Sequence, residues 1–397
     1  MNRTFATTVP PAAAVLVACG RDPADQCASA VLRDALARVT DWEQLGDAAL
    51  RHGMAGLLYR RVTDTCPAAV PAAVLAAWRE RTIAVAQRSL RMQRQLLVQL
   101  ERLAEAGVPA LVLKGPAFSQ QLYGDATLRH FIDLDVLVHP QDVAAAHDIA
   151  LAGGLVDSHP FDAVYEPMLQ THMQEIVLTH PATGLVLEIH WRVGFRFAAD
   201  SLLADELFAR AGRLELLGRE VAGLGPLDVV LVLTAHAATH GWVKLEDVAA
   251  VAAGLRRLSA TDAGALEALA AASGCRRRLH VGILLAAILT QAPPPAGLAA
   301  PAFADRLAKD LAAWAGARLL WADADSAALD ERDLLERVRG VLWQARTLDT
   351  PGATVRHLWR RLFTSMARDW VEGGAAPEVP RGAAATFLRR QRRLWRR

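Results

Sequence analysis

Cysteine is scarce in this chain: four residues out of 397, Cys19, Cys27, Cys66 and Cys275, with no CxxC pair and no zinc-ligand spacing. That argues against a disulfide scaffold or a thiolate zinc centre and suits a reduced, cytoplasmic protein. Long apolar runs are missing too. The best candidates, 227–238 and 281–289, fall short of the ~18 continuous apolar residues that a membrane-spanning helix needs, so no transmembrane segment is expected. Charge of one sign is also lacking, since the formal net charge is +2. Nothing global therefore draws a polyanion, and no stable nucleic-acid partner is expected. Tyrosine and phenylalanine are few while Ala and Leu dominate, a tilt that favours helices. Leu16, Val17, Ala18 and Cys19 read like a lipoprotein cleavage site, but the stretch before them has a single charge, Arg3, and is broken by Pro10 and Pro11. A first amphipathic helix is the simpler reading.

What is present falls into four stretches. Residues 1–107 carry apolar side chains at helical spacing, as in Leu45, Ala49, Leu50, Met54, Leu57 and Leu58. Gly107, Val108 and Pro109 stop that pattern, because glycine accepts a left-handed C-terminal conformation and proline cannot continue the ladder. Residues 108–196 then alternate short strands with helices. Strands are predicted at 110–113, 131–138, 174–179 and 185–192, helices at 117–123 and 141–151, and a hairpin turn at 180–184. Helical spacing returns over 197–372, with helices predicted at 231–255, 266–272, 279–289 and 307–321. Residues 373–397 are a linker rich in Gly, Ala and Pro followed by an arginine-rich tail. The expected architecture is α+β: a small mixed-sheet unit flanked by N- and C-terminal helical units.

The chemistry concentrates on two strands. Successive side chains of a strand face opposite ways, so Asp133, Asp135 and Leu137 share one face while Leu134, Val136 and Val138 share the other. Two carboxylates that close raise one another's pKa or require a cation, and magnesium is a natural neutraliser. A solvated edge strand or a helix cap would also accommodate Asp-x-Asp. Along 185–192, Glu188 and His190 share a face opposite Leu187, Ile189 and Trp191, so three acids converge if the two strands are neighbours. Such a triad supports two-metal phosphoryl transfer. Lys114, Gly115 and Ser119 lie where a strand turns into a helix start, a place that suits phosphate but is also plain architecture. Arg129 either reaches phosphate oxygens or pairs with Asp125. His236 and His240, four apart on a helix, have zinc spacing, yet Ala237 stands where a metalloprotease has glutamate.

The string LVLKGPAFSQQLYGDATLRHFIDLDVLV, then VLEIHW and later HAATHGWVKLEDVAAV, resembles a nucleotidyltransferase family of the polymerase β superfamily with the ordered pattern LKG, Arg, DxDLLV and EIHW. The segment WEQLGDAALRHGMAGLLYRRV is similar to that family's leading portion, so the resemblance runs to about Leu255. It implies a nucleotidyltransferase palm at 108–196, with Asp133, Asp135 and Glu188 as catalytic and metal-binding residues. Lys114, Gly115, Ser119, Arg129 and His190 would line the nucleotide site. The implied reaction moves an NMP group from an NTP to an acceptor hydroxyl, with Mg2+ or Mn2+ as cofactor. The acceptor is an unidentified small molecule, sugar, peptide or protein. One departure stands out: the superfamily's loop has serine after glycine and lies nearer the acid pair, whereas here Pro116 follows Gly115. The alternative is therefore a noncatalytic nucleotide-binding or partner-binding scaffold that keeps the palm fold.

Overall fold

The computed structural model describes residues 9–158, 174–194, 201–321 and 334–363. The expected linker and arginine-rich tail, 373–397, lie outside the described residues. Five helices lead the chain: α1 (Pro11–Cys19), α2 (Ala28–Leu36), α3 (Trp42–Arg51), α4 (Ala55–Thr65) and α5 (Ala72–Glu105). Local chemistry sets their ends. Asp41 caps α3 by accepting from the Gln44 amide at 2.8 Å, and Gly107, at φ +73°, ends the run after α5 as its sequence context predicts.

The central part contains β1 (Leu111–Val112), α6 (Pro116–Tyr123), β2 (Asp133–Leu137), α7 (Val143–Ala152), β3 (Val156–Asp157), β4 (Glu175–Thr179) and β5 (Val186–His190). A small pair, β6 (Arg192–Gly194) and β7 (Ser201–Leu203), follows, then α8 (Ala204–Ala209), β8 (Gly212–Leu216) and β9 (Arg219–Gly223). Seven strands form one mixed sheet in the order β3-β4-β5-β2-β1-β9-β8. The hairpin expected at 180–184 is present, with Gly184 at φ +67° and β4 antiparallel to β5.

The sheet extends further along the chain than the sequence pattern suggests. Residues from 197 onward were expected to be helical, yet β8 and β9 pair antiparallel around Leu217 and Gly218, both at positive φ, and β9 joins β1. Leu214, Leu216 and Val221 are buried while Arg213, Glu215, Arg219 and Glu220 are exposed, a period-two signal only a few residues long. Averaged over long windows, that signal merges into the adjoining helical stretches.

The remaining helices are α9 (Pro226–Thr239), α10 (Leu245–Arg256), α11 (Ala260–Ala272), α12 (Arg276–Thr290), α13 (Ala296–Ala304), α14 (Arg306–Trp321), α15 (Leu334–Arg346) and α16 (Pro351–Phe363). The stretch expected to be continuously helical through 231–255 is two helices, because Gly241 and Trp242 both adopt positive φ and turn the chain. None of the described helices is long and apolar enough to cross a membrane.

Two cores cover the two faces of the sheet. Leu134, Val136 and Val138 belong to a core with Leu187, Ile189 and residues of α5 and α7. Leu137, on the opposite face with Asp133 and Asp135, belongs to a larger core that takes in α1, α9, α10 and α12. Helices from before and after the sheet thus share one apolar interior, and the acid-bearing face of β2 is turned toward it.

Candidate active site

Register decides what the acids can do. The strands β2 and β5 run parallel, with Asp135 opposite Glu188 and Leu137 opposite His190. The strands are therefore neighbours, and both carboxylates rise from the same face. Around Asp135 the contacts are dense: the Lys114 ammonium donates to its Oδ1 at 2.5 Å, and His190 Nε2 lies 2.9 Å from the same oxygen. His190 Nε2 is also 3.3 Å from Glu188 Oε2, while its Nδ1 is 3.9 Å from Glu175 Oε2.

Burial pushes the Asp135 carboxyl up, but the Lys114 and His190 charges outweigh it and hold it below the usual carboxylate range. Burial lowers the Lys114 pKa, and the charges of Asp135 and Glu188 more than reverse this, so the ammonium stays protonated. His190 follows the same logic: burial works against its charge, the bonds to Asp135 and Glu188 work for it, and its pKa rises to about 9. Asp133 has the weaker compensation. Burial, followed by repulsion from Asp135 and Glu188, pushes it up to about 6.

Asp135, Glu188 and His190 each offer a ligand atom, and these atoms lie within 4.8 Å of one another. Such a set of two carboxylates and an imidazole fits a divalent cation, and a lysine ammonium lodged on Asp135 marks the place as one that attracts positive charge. The sequence expectation had Asp133 as the third member. Asp133 shares the strand face two residues upstream, but His190 takes the third position of the compact cluster. Glu175 was missed altogether. Its signal was the hairpin register, which places it directly across from His190.

The other predicted residues separate into two kinds. Gly115 precedes α6 at φ +58° and ψ −123°, with Pro116 at the first helical position. A β-carbon there would make only ordinary contact, 3.6 Å from the Asp133 carbonyl oxygen and from Phe131. Gly115→Ala is thus expected to cost about 1–3 kcal/mol through backbone strain alone, read as a lower urea midpoint. An unchanged midpoint would mean that the turn relaxes freely. The Ser119 hydroxyl is engaged within the protein. The residue is fully buried, and its hydroxyl donates to the Asp125 carbonyl at 2.6 Å and accepts from the Arg129 amide at 3.1 Å. It ties the 125–129 loop to α6.

Arg129 does not pair with Asp125, whose carboxylate instead accepts from the Thr127 amide and hydroxyl. Its Nε donates to Glu246 Oε1 at 2.5 Å, a contact between the 125–129 loop and α10. His236 and His240 do lie together, with ring centroids 4.6 Å apart at the end of α9. Burial lowers the pKa of both, followed by the Lys114 charge, so the end of α9 sits within electrostatic reach of the acid cluster. They are not part of the three-residue ligand cluster found among the described residues.

No curated protein and no solved structure matches the chain. The family model described as an uncharacterised nucleotidyltransferase matches residues 38–291, a span that holds the whole seven-stranded sheet and α9 to α12. This covers more than half of the sequence, and the chain belongs to that nucleotidyltransferase family.

Proposed function

We propose that this protein transfers a nucleoside monophosphate from an NTP to an acceptor hydroxyl and releases pyrophosphate. The observation that carries this reading is the parallel register of β2 and β5, which sets Asp135 beside Glu188 with His190 completing the cluster. Asp133, Asp135 and Glu188 would hold magnesium or manganese, with His190 as a further donor once its proton is displaced by the cation. Bound there, the cation would offset phosphate charge and align the attacking and leaving oxygens.

The acceptor oxygen forms a bond to the α-phosphorus while the bond from that phosphorus to the bridging oxygen breaks. Glu188, half-buried at the edge of the cluster, takes the acceptor proton. Lys114 reaches phosphate oxygens from the turn at Gly115, whose backbone conformation brings the chain round into α6. Ser119 and Arg129 position the 125–129 loop through the contacts described above. His236 and His240, at the nearby end of α9, contribute to holding donor or acceptor.

The test is calorimetric titration of each of the four common NTPs in the presence of magnesium, with wild type and Asp133→Asn/Asp135→Asn side by side. Selective binding that disappears in the double variant is expected. If none of the four binds, the noncatalytic scaffold becomes the better account.

A further inference from the structure

A cavity of about 310 Å³ opens where α1, α4, α6 and α10 meet, and none of the acid-cluster residues lines it. Five arginines line it, Arg21, Arg60, Arg61, Arg256 and Arg257, and no acidic residue does. Arg21 is neutralised by Asp25 at 2.6 Å, and among the described residues Arg256 has only a distant acidic partner, Asp22 at 3.9 Å. Arg61 is 5 % exposed, and its Nε has no hydrogen-bond partner among the described residues; Nη1 of Arg256 is likewise buried without one there. Arginine cannot shed its charge to escape such a setting, so buried guanidinium groups without counter-charges are costly.

We propose that this cavity is a binding site for the phosphoryl group of a small phosphorylated molecule. Guanidinium groups recognise phosphate through paired N–H donors, and here the donors come from two separate helices, α4 and α10. The remaining wall is largely apolar, supplied by leucine and alanine side chains of α4, α6 and α10, and can take an organic portion. The volume lies at the small end of ligand pockets, roughly 300–1,000 Å³, which suits a compact phosphomonoester. Cys19 also lines the cavity, but burial pushes its thiol up to about 12, so it is no nucleophile there. Burial lowers the Arg256 pKa, Asp22 and Tyr123 partly oppose it, and Arg61 and Arg257 add to it; a bound anion would counter the loss.

Arg256 ends α10 and Glu246 lies in its first turn, about 15 Å apart at the rise of a helix. Tyr123 lines the cavity and is within electrostatic reach of Arg129 and Glu246 as well as of Arg60 and Arg256. Arg60 lies 5.8 Å from the centroid of its ring. None of the acid-cluster residues lines the arginine cavity, so binding there requires neither a cation nor nucleotidyl transfer.

The experiment is calorimetric titration of the full chain in EDTA with inorganic phosphate and with ribose 5-phosphate. One-to-one binding is expected, weakened at least about tenfold by Arg61→Gln and by Arg60→Gln/Arg257→Gln, and kept by Lys114→Gln. The double variant replaces less buried arginines and carries the test if Arg61→Gln fails to fold. Tighter binding of the ester identifies an organic phosphate as the ligand, and binding of phosphate at least as tight identifies the free ion. No binding of either probe, binding indifferent to the arginine variants, or binding lost with Lys114 would overturn the proposal.

Discussion

Asp135→Asn is expected to reduce nucleotidyl transfer on the order of a thousandfold or more, as is common when one member of an interdependent catalytic set is removed. The side chain is the meeting point of three elements: it stands on β2, opposes Glu188 on β5, and accepts from Lys114 at 2.5 Å while His190 lies 2.9 Å away. Asparagine keeps the shape and removes the charge. The cluster then loses its most buried anionic donor, and Lys114 and His190 lose the counter-charge that orients them. Transfer measured as pyrophosphate release, together with manganese affinity by calorimetry, reads both effects. Activity within about tenfold of wild type, with metal affinity intact, would show that the reacting phosphate lies elsewhere.

The second large effect concerns stability. Glu246→Leu is expected to destabilise the fold by about 3–5 kcal/mol, because it leaves the Arg129 guanidinium buried without its partner. The two side chains are only 14 % and 7 % exposed, so water cannot substitute cheaply for the lost carboxylate. Replacing both, as Arg129→Met/Glu246→Leu, is expected to recover most of that loss, since the uncompensated charge goes with its partner. Urea unfolding of the two variants and of wild type separates the cases. A loss below about 1 kcal/mol for Glu246→Leu would mean that the pair exchanges freely with solvent.

Much of the site was legible in order along the chain. Alternation alone placed Asp133 and Asp135 on one face of β2 and Glu188 with His190 on one face of β5. The hairpin turn at 180–184 followed from Pro181 and Gly184, and the helix stop at Gly107 from glycine chemistry. What escaped were contacts between elements distant in sequence. Glu246 stands 117 residues from Arg129, and although it lies in the string HAATHGWVKLEDVAAV, nothing in that string names its partner. Ser119 read as a phosphate ligand because serine after a glycine turn suits one, but its hydroxyl is used by the Asp125 carbonyl and the Arg129 amide. The β8–β9 hairpin was lost because a strand pair of five residues each has too few alternations to outweigh the helical stretches around it.

Local chemistry along the chain was enough to settle which side chains share a face and where most elements begin and end, because strand alternation, helical spacing and turn preferences act over a few residues. Which faces meet was settled by long-range packing. The parallel pairing of β2 with β5 brought Asp135 to Glu188, the approach of α10 to the 125–129 loop gave Arg129 its carboxylate, and the convergence of four helices enclosed the arginines around an open cavity. Each of these depends on burial of apolar surface between segments far apart in the chain, which local patterns permit without specifying.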